Sequence, residues 1–410
     1  MAKKRSLRSA NRKASQGDEA NLRLPGLEAA EESAAPHSQV PDDLPLIAQV
    51  EQDGVPDAAE AWETRRAEDR GQLNGSRGVP DARSGQEHSA REDFSENHCP
   101  ACGCRDYRTL TRGSDRLYAT TTKSFLLVEC SQCLLIRLFP WPSPAELATY
   151  YPDHYWFDAG EDTSGELAER YRRFVLADHV RFVMGAVRSA RMPEPVLDVG
   201  CGGGLFLRML YERGVPVIGL DVAVAAAGVA WRRLGVPAVC ASLAQAPFAP
   251  ETFSVITMFH VLEHLYDPAA YVDEARRLLK PGGRLIVQVP NIDCWQYFLA
   301  GENWNGVDIP RHLIHFKAKD VDALLEDCGF EILRHKHYSW RDNPAGLATT
   351  IAPGLDPMSR RIRGVPETPR GRLIKDLLYF GLVLASIPFT AMEAAVRQGS
   401  TIMVEARRKA

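Results

Sequence analysis

The chain has 410 residues, of which 45% are hydrophobic and 25% charged. This average excludes a wholly disordered chain and a multi-pass membrane protein. Residues 1–13 carry six Lys or Arg and no acid, whereas residues 14–96 carry nineteen acids against seven Arg. Residues 97–410 are left with a net charge of +2, which gives no electrostatic reason to expect a nucleic acid partner.

The first 96 residues are rich in Ala, Glu, Asp, Gly, Pro and Ser. Such a segment cannot bury enough apolar surface to offset the entropy of ordering, so we predict a disordered tail over 1–96. Its basic tip lacks the apolar run of a secretory signal, so we expect a cytoplasmic protein. The tip is either a solvated end or a contact point for an acidic membrane surface or nucleic acid.

Two cysteine pairs follow the tail, Cys99-Pro-Ala-Cys102 and Cys130-Ser-Gln-Cys133. Two CxxC knuckles close a tetrahedral, structural zinc site, so we predict Zn²⁺ on these four thiols in a small zinc-ribbon module over 97–143. Free thiols are the alternative, and a redox pair lacks the βαβ context it needs. We expect the following domain to stay folded without zinc because it has a sheet of its own.

Residues 144–191 read as a helical linker or lid. Pro144 suits a helix start, an aromatic-rich stretch follows, and apolar residues recur at helical spacing from Leu167 to Arg191. The aromatic side chains proposed for the lid are Tyr150, Tyr151, Tyr155 and Trp156.

From residue 192 to 410, buried apolar strands alternate with helices of 10 to 12 residues. This alternation predicts an α/β domain with a doubly wound, seven-stranded, mainly parallel sheet. An insertion at 339–399 interrupts it. The apolar stretch 373–396 within it is flanked by basic residues, which suits a peripheral membrane contact, a roof over an apolar acceptor, or burial against the core.

A glycine loop follows the first strand of this domain, in the segment Asp198-Val-Gly200-Cys-Gly202-Gly-Gly204. A glycine loop alone is weak evidence, because dinucleotide enzymes use one too. Here the third glycine of that motif is replaced by Leu205. Asp198 would repel a pyrophosphate but attract an ammonium group, and Asp221 at the end of the second strand can accept from both hydroxyls of a ribose.

With these residues the sequence resembles the class I S-adenosylmethionine-dependent methyltransferases over about residues 145–408. VLDVGCGGG is similar to their first motif, and Phe253–Pro268 and Leu278–Asn291 to their fourth and fifth strands. The resemblance implies S-adenosylmethionine as cofactor, with contacts from Asp198, Gly200, Gly202, Asp221, Val222, Ser242, Leu243 and His260. Ser254 and Ser242 depart from the family pattern, which makes the adenine contacts less defined than the ribose contacts. A zinc ribbon precedes some sugar and polyketide members.

The segment His260-Val-Leu-Glu263-His264 allows two interpretations. It matches a zinc-peptidase signature, but that signature requires a helix, and here a β-branched strand comes directly before it. In the methyltransferase interpretation it ends the fourth strand beside the reacting methyl group. His264, Glu263 and His312 are then the candidate catalytic residues, with His315 as a further candidate.

The sequence therefore predicts an enzyme that transfers a methyl group from S-adenosylmethionine to oxygen or carbon of a small-molecule, sugar or lipid-linked acceptor. The alternative is a non-catalytic scaffold or binding module that keeps the cofactor fold.

Overall fold

The computed structural model describes residues 98–152 and 166–409, apart from the side chains of 166–168. The predicted tail and two aromatic residues of the predicted lid, Tyr155 and Trp156, lie outside the described residues.

Within the described residues the strands are β1 Tyr107–Gly113, β2 Phe125–Cys130, β3 Ile136–Phe139, β4 Val196–Val199, β5 Val217–Asp221, β6 Ala238–Cys240, β7 Phe253–Phe259, β8 Leu279–Pro290, β9 Ile314–His315, β10 Phe330–Lys336 and β11 Thr401–Arg408. The helices are α1 Pro144–Ala148, α2 Glu166–Ala190, α3 Leu205–Tyr211, α4 Val224–Leu234, α5 Pro268–Leu278, α6 Trp295–Ala300, α7 Ala318–Asp327, α8 Asn343–Ile351, α9 Pro357–Ile362 and α10 Pro369–Ala395.

The larger sheet has seven strands in the order β10-β11-β8-β7-β4-β5-β6. Only β11 runs against its neighbours, β8 and β10. All of β4 and most of β7 are buried, as expected for parallel strands covered by helices on both faces. The predicted doubly wound fold is confirmed. It places the carboxyl ends of β4, β5 and β7 at one edge, where ligands bind in such sheets.

The cysteine-bearing segment forms a second, antiparallel sheet in the order β1-β2-β3-β9. Its last strand comes from the larger domain: Ile136 pairs with His315, and the amide of Leu138 donates to the carbonyl of Leu313 at 2.9 Å. The small module and the large domain therefore share a sheet as well as a hydrophobic core.

Arg311, just before β9, is fully buried and joins the two parts of the chain. Its guanidinium donates to both carboxylate oxygens of Asp115, at 2.9 and 3.0 Å, and to Asp308 at 2.6 Å. Burial acts to raise the pKa of Asp115, but its hydrogen bonds and ion pair with Arg311 lower it to about 2. Asp115 therefore stays charged and holds Arg311 in place.

The insertion at 339–399 forms α8, α9 and α10. The longest of them, α10, has 27 residues and continues through Pro388. It is the one helix in the described part of the chain that is long and apolar enough to cross a membrane, with a mean hydropathy of 1.6 over 18 residues. Length and composition alone do not distinguish a spanning helix from one that lies on a surface.

We predict that Asp115→Ala destabilises the chain by about 3–5 kcal/mol, because it leaves the buried Arg311 charge with one partner fewer. Arg108→Ala is the matched control, since the Arg108 side chain, which pairs with Glu129, is 71% exposed and ion pairs of exposed side chains contribute about 1 kcal/mol or less. Urea unfolding of both variants measures the difference. Equal losses would show that the Arg311 cluster does not hold the two parts together.

Candidate active site

A cleft of about 1120 Å³ opens at the carboxyl ends of β4, β5 and β7. This exceeds the roughly 300–1,000 Å³ of ordinary small-molecule sites. The space accommodates two ligands side by side, as a transfer reaction between two molecules requires.

The glycine loop lies along one wall of this cleft. Gly200 and Gly204 adopt left-handed backbone conformations, with φ of 74° and 77°. A Cβ at Gly200 would lie 2.9 Å from Val261 Cγ2, and one at Gly204 would lie 2.8 Å from the Cβ of Ala230. The loop is glycine-rich because neither the conformation nor the space admits a side chain, and its bare backbone faces the cleft.

Asp221 is buried at the end of β5 and accepts the amides of Gly202 at 2.8 Å and Ala223 at 2.9 Å. Burial raises the pKa of its carboxyl group. Each oxygen keeps a further lone pair on the cleft side, so the carboxylate fits a vicinal diol such as that of a ribose.

Asp198 is buried at the end of β4, where its Oδ1 accepts from the hydroxyl of Thr257 at 2.6 Å. Burial raises the pKa of Asp198 to about 7; Asp221 adds to the rise, and Thr257 and Arg341 oppose it. A cationic ligand in the cleft would favour the ionised form and so reverse part of this shift.

Other predicted cofactor contacts are placed unevenly. Val222, Leu243 and His260 line the cleft. Ser242 does not: its hydroxyl donates to the side-chain oxygen of Gln245 at 3.0 Å, and the neighbouring Ala241 lines the cleft instead. This wall is apolar, which suits the face of an adenine ring.

The segment 260–264 is not an α-helix. The strand β7 ends at Phe259, His260 has a left-handed φ of 56°, and Leu262–His264 form a single 3₁₀ turn. The zinc-peptidase interpretation fails, because it needs both histidines on one face of an α-helix.

His264 and His312 meet at the cleft with their ring centroids 4.7 Å apart. His264 Nδ1 lies 3.0 Å from the carbonyl of Arg311 and 2.9 Å from the hydroxyl of Tyr151, and His312 Nδ1 lies 2.9 Å from the carbonyl of Gly306. Because a carbonyl only accepts, each Nδ1 carries the proton and each Nε2 keeps a lone pair. Burial and the neighbouring histidines lower the pKa of His312 well below its ordinary value.

Glu263 is placed differently from the expectation that it orients His264. Its Oε1 accepts from His260 Nδ1 at 3.1 Å. It is buried, its Oε2 has no hydrogen-bond partner among the described residues, and it borders a small separate cavity. One donor atom each from Glu263, His264 and His312 nevertheless lie within 4.8 Å of one another.

His315 lies away from the cleft, buried in β9, where its Nε2 donates to the carbonyl of Val307 at 3.0 Å. Burial lowers its pKa to about 4. It therefore packs within the structure and does not reach an acceptor in the cleft.

The insertion supplies cleft residues that the sequence analysis did not identify, Arg341 and Asp342 among them. Burial acts to raise the pKa of Asp342, but Arg341 and His260 hold it well below its ordinary value. Burial acts to lower the pKa of His260, but Asp342 and Glu263 raise it to about 9. No motif marks Asp342, because its position depends on how the insertion folds back over β7.

The four cysteines predicted to bind metal come together. The Sγ atoms of Cys99 and Cys133 are 3.5 Å apart, as are those of Cys102 and Cys130. Tetrahedral zinc with bonds of about 2.3 Å requires sulfurs about 3.8 Å apart. The residue after each knuckle, Gly103 and Leu134, has a left-handed φ and donates its amide to the first cysteine's carbonyl. The thiol set therefore fits a tetrahedral metal ion.

Comparisons with known proteins agree with this geometry. A family model described as a methyltransferase domain matches residues 167–335. The chain is 31% identical over 157 residues to a ubiquinone biosynthesis O-methyltransferase from Pseudomonas paraeruginosa. This alignment covers 35% of this chain and 68% of that protein. The corresponding Pseudomonas aeruginosa protein is 33% identical over 157 residues, with the same coverage.

Solved structures similar to the chain include an S-adenosylmethionine-dependent methyltransferase from Archaeoglobus fulgidus, with a TM-score of 0.39, 15% identity and coverage of 60% of this chain and 100% of that one. A geranyl diphosphate C-methyltransferase from Streptomyces coelicolor has a TM-score of 0.39, 16% identity and coverage of 61% and 83%.

The cleft and the sequence relatives define one class of protein: the chain belongs to the methyltransferase family. It is an S-adenosylmethionine-dependent methyltransferase, as the sequence motifs indicate, and the scaffold alternative is not needed to explain the site.

We predict that the affinity for S-adenosylmethionine falls as the pH drops below about 7, the pKa of Asp198. The cationic ligand favours ionised Asp198, so binding at lower pH must first remove a proton, at a cost approaching about tenfold in affinity per pH unit. Titration calorimetry across this range measures the slope. Asp198→Asn should bind weakly with a flatter profile, and an unchanged slope in that variant would assign the pH dependence to another group.

Proposed function

We propose that the protein methylates a hydroxyl group of a small-molecule acceptor, with His264 as the general base. The observation that carries the proposal is the fixed orientation of His264: Arg311 and Tyr151 hold Nδ1, so Nε2 is the ring atom available to an acceptor. Relatives named as O-methyltransferases support oxygen as the atom methylated.

S-adenosylmethionine supplies an activated methyl group, so the protein has little covalent chemistry to perform. In this proposal the Gly200–Gly204 backbone and Asp221 hold the ribose end, and Asp198 faces the amino group. Cationic His260 suits the carboxylate of the same ligand. Positioning the acceptor oxygen in line and removing its proton are then the tasks of the opposite wall of the cleft.

His312 is the second base candidate, but its lowered pKa makes it a weaker proton acceptor. Its Nε2 lone pair suits a hydrogen bond from the acceptor hydroxyl, which would direct that oxygen toward His264. Glu263 acts indirectly in this proposal, through its contact with His260.

His264→Ala should lower kcat by roughly a hundred- to ten-thousandfold, the usual contribution of a general base. A catechol is a suitable test acceptor, because a phenolic hydroxyl loses its proton to a base more readily than an alcohol. Formation of the methyl ether and of S-adenosylhomocysteine measures turnover, and titration with S-adenosylmethionine should show unchanged affinity.

The matched control is His335→Ala, since His335 pairs with Asp322 outside the cleft; we expect full activity. If His264→Ala keeps full turnover, or loses cofactor binding to the same extent, His264 is structural and another group removes the proton.

We further propose that Cys99, Cys102, Cys130 and Cys133 bind a structural Zn²⁺, which supports the active site at a distance. The metal would join the two knuckles where β1 begins and β2 ends. The same small module carries Asp115, the partner of Arg311. The Arg311 carbonyl in turn orients His264. In place of the expectation that the large domain is independent of the zinc module, we therefore propose that loss of zinc affects the position of His264 in the large domain.

Metal analysis should find about one zinc per chain, and the Cys99→Ser, Cys130→Ser double variant should lose it. Turnover of the catechol should fall more than the affinity for S-adenosylmethionine, because Arg311 lies beside His264 and not beside the glycine loop. Cys104→Ser is the control: Cys104 donates to the carbonyl of Asp106 and should leave zinc and turnover intact. Finding no zinc in the wild-type protein would refute the proposal.

We also propose that the protein works at the cytoplasmic side of a membrane on a lipid-linked acceptor, with residues 373–396 as the contact. Support comes from the apolar helix α10 and from the place of the insertion at the cleft wall.

A further inference from the structure

The outer surface of α10 is apolar and its inner surface is polar, the reverse of a helix that packs on a soluble core. Its buried positions are Val383, Ser386, Thr390 and Glu393, which follow one another at helical spacing. Its exposed positions include Leu373, Ile374, Leu377, Leu378, Phe380, Leu384 and Met392. We call these seven exposed side chains the apolar face.

Hydrogen bonds fix this orientation of the helix. Glu393 is fully buried and accepts from the backbone amide and side-chain amide of Gln296, at 3.0 and 2.9 Å. Nearer the start of the helix, the hydroxyl of Tyr379 lies 2.9 Å from that of Thr349 in α8. Turning the leucines inward would leave these polar groups without partners, so the apolar face belongs outside.

The apolar face is more extensive than the scattered apolar residues of an ordinary soluble surface. Only 22% of the most apolar 18-residue stretch of α10 is buried. Residues 377–392 contain no charged side chain, and Phe380 extends the surface onto α2 through a ring contact with Tyr171 at 5.9 Å. Contiguous apolar surface of this kind marks a site of contact with a membrane or another protein.

Charge favours a membrane with anionic lipids. Residues 357–397 carry seven Lys or Arg against three acids, and one of those acids, Glu393, faces inward. The other two, Glu367 and Asp376, pair with Lys375 and Arg360. Arg370 and Arg372 in the first turn of α10 and Arg361 in α9 are exposed, and we call these three side chains the basic collar. The helix dipole adds positive charge at the start of α10.

The topology around α10 does not allow this helix to cross a membrane. Only five residues, 396–400, separate the end of α10 from β11, which is paired on both sides within the large sheet. At its other end α10 follows α8 and α9, which line the cleft of the same domain. A spanning helix would place its ends about 30 Å apart on opposite sides of the bilayer, which this topology does not allow.

From these observations we propose that the apolar face and the basic collar dock the enzyme on an anionic bilayer, and that its acceptor passes from the bilayer into the cleft. This rests on the proposed lipid-linked acceptor and deepens that proposal by assigning the side chains that dock, the anionic lipid they prefer and the route of the acceptor into the cleft. Thr349 connects the apolar helix to the cleft: its hydroxyl contacts that of Tyr379 in α10, and the same residue lines the cleft. A hydrophobic tail could stay in the lipid while the hydroxyl group reaches His264.

The test is flotation of the full chain with vesicles of phosphatidylcholine alone or mixed in equal parts with phosphatidylglycerol. We expect binding to the mixed vesicles. Leu377→Glu with Leu384→Glu should lower the partition coefficient roughly a hundredfold, because two exposed leucine side chains that would insert into the lipid are lost. Tyr211→Glu, an exposed apolar side chain on α3, is the matched control and should bind as the wild type does.

A second variant, Arg370→Glu with Arg372→Glu, should lose the preference for phosphatidylglycerol while leaving the apolar face intact. Every variant should keep its unfolding temperature, its affinity for S-adenosylmethionine and its turnover of a soluble catechol. The unfolding temperature reports folding, whereas the affinity and the turnover test the proposed function and do not depend on docking, so the two proposals can fail separately.

Three results would overturn the proposal. The first is a wild-type chain that floats with neither vesicle. The second is a wild-type dimer that the leucine variant dissociates, which would assign the apolar face to a second copy of the chain. The third is unfolding of the leucine variant, which would show that these side chains pack against protein.

Discussion

The buried guanidinium of Arg311 connects the parts of this enzyme. A fully buried charge is tolerated only when hydrogen bonds and opposite charges surround it, and here those partners come from different parts of the chain. Asp115 belongs to the cysteine module and Asp308 to the large domain. Because both carboxylates pair with Arg311, separating the two sheets would expose the guanidinium to solvent or leave it buried without one of its partners.

The backbone of Arg311 also contacts His264, the proposed general base. The carbonyl of Arg311 accepts from His264 Nδ1 and so decides which ring nitrogen faces the cleft. In the proposed mechanism His264 needs no carboxylate partner of its own, and Glu263 contacts His260 instead. In the proposed enzyme, a metal in the small module would thus affect a proton transfer in the large one.

Opposed charges also organise the cleft. Asp198 and Asp221 lie buried on the glycine-loop side, and burial raises the pKa of both. On the other side His260 is held cationic by Asp342. In the proposed binding mode, the ammonium group, the ribose and the carboxylate of S-adenosylmethionine would contact Asp198, Asp221 and His260, respectively.

The sequence by itself determined the sheet, the family, the glycine loop and the four cysteines, because each depends on local patterns: strand and helix periodicity, backbone conformation that only glycine tolerates, and the CxxC knuckle. Tertiary structure alone decided which distant side chains meet. Packing between segments far apart in sequence pairs Asp115 with Arg311 and places Asp342 beside His260. Packing also places the side chains of Ser242 and His315 outside the cleft. The sequence also did not predict which side of α10 faces outward. Composition gives the apolarity of the helix, but the hydrogen bonds of Glu393 and Tyr379 determine which side is exposed.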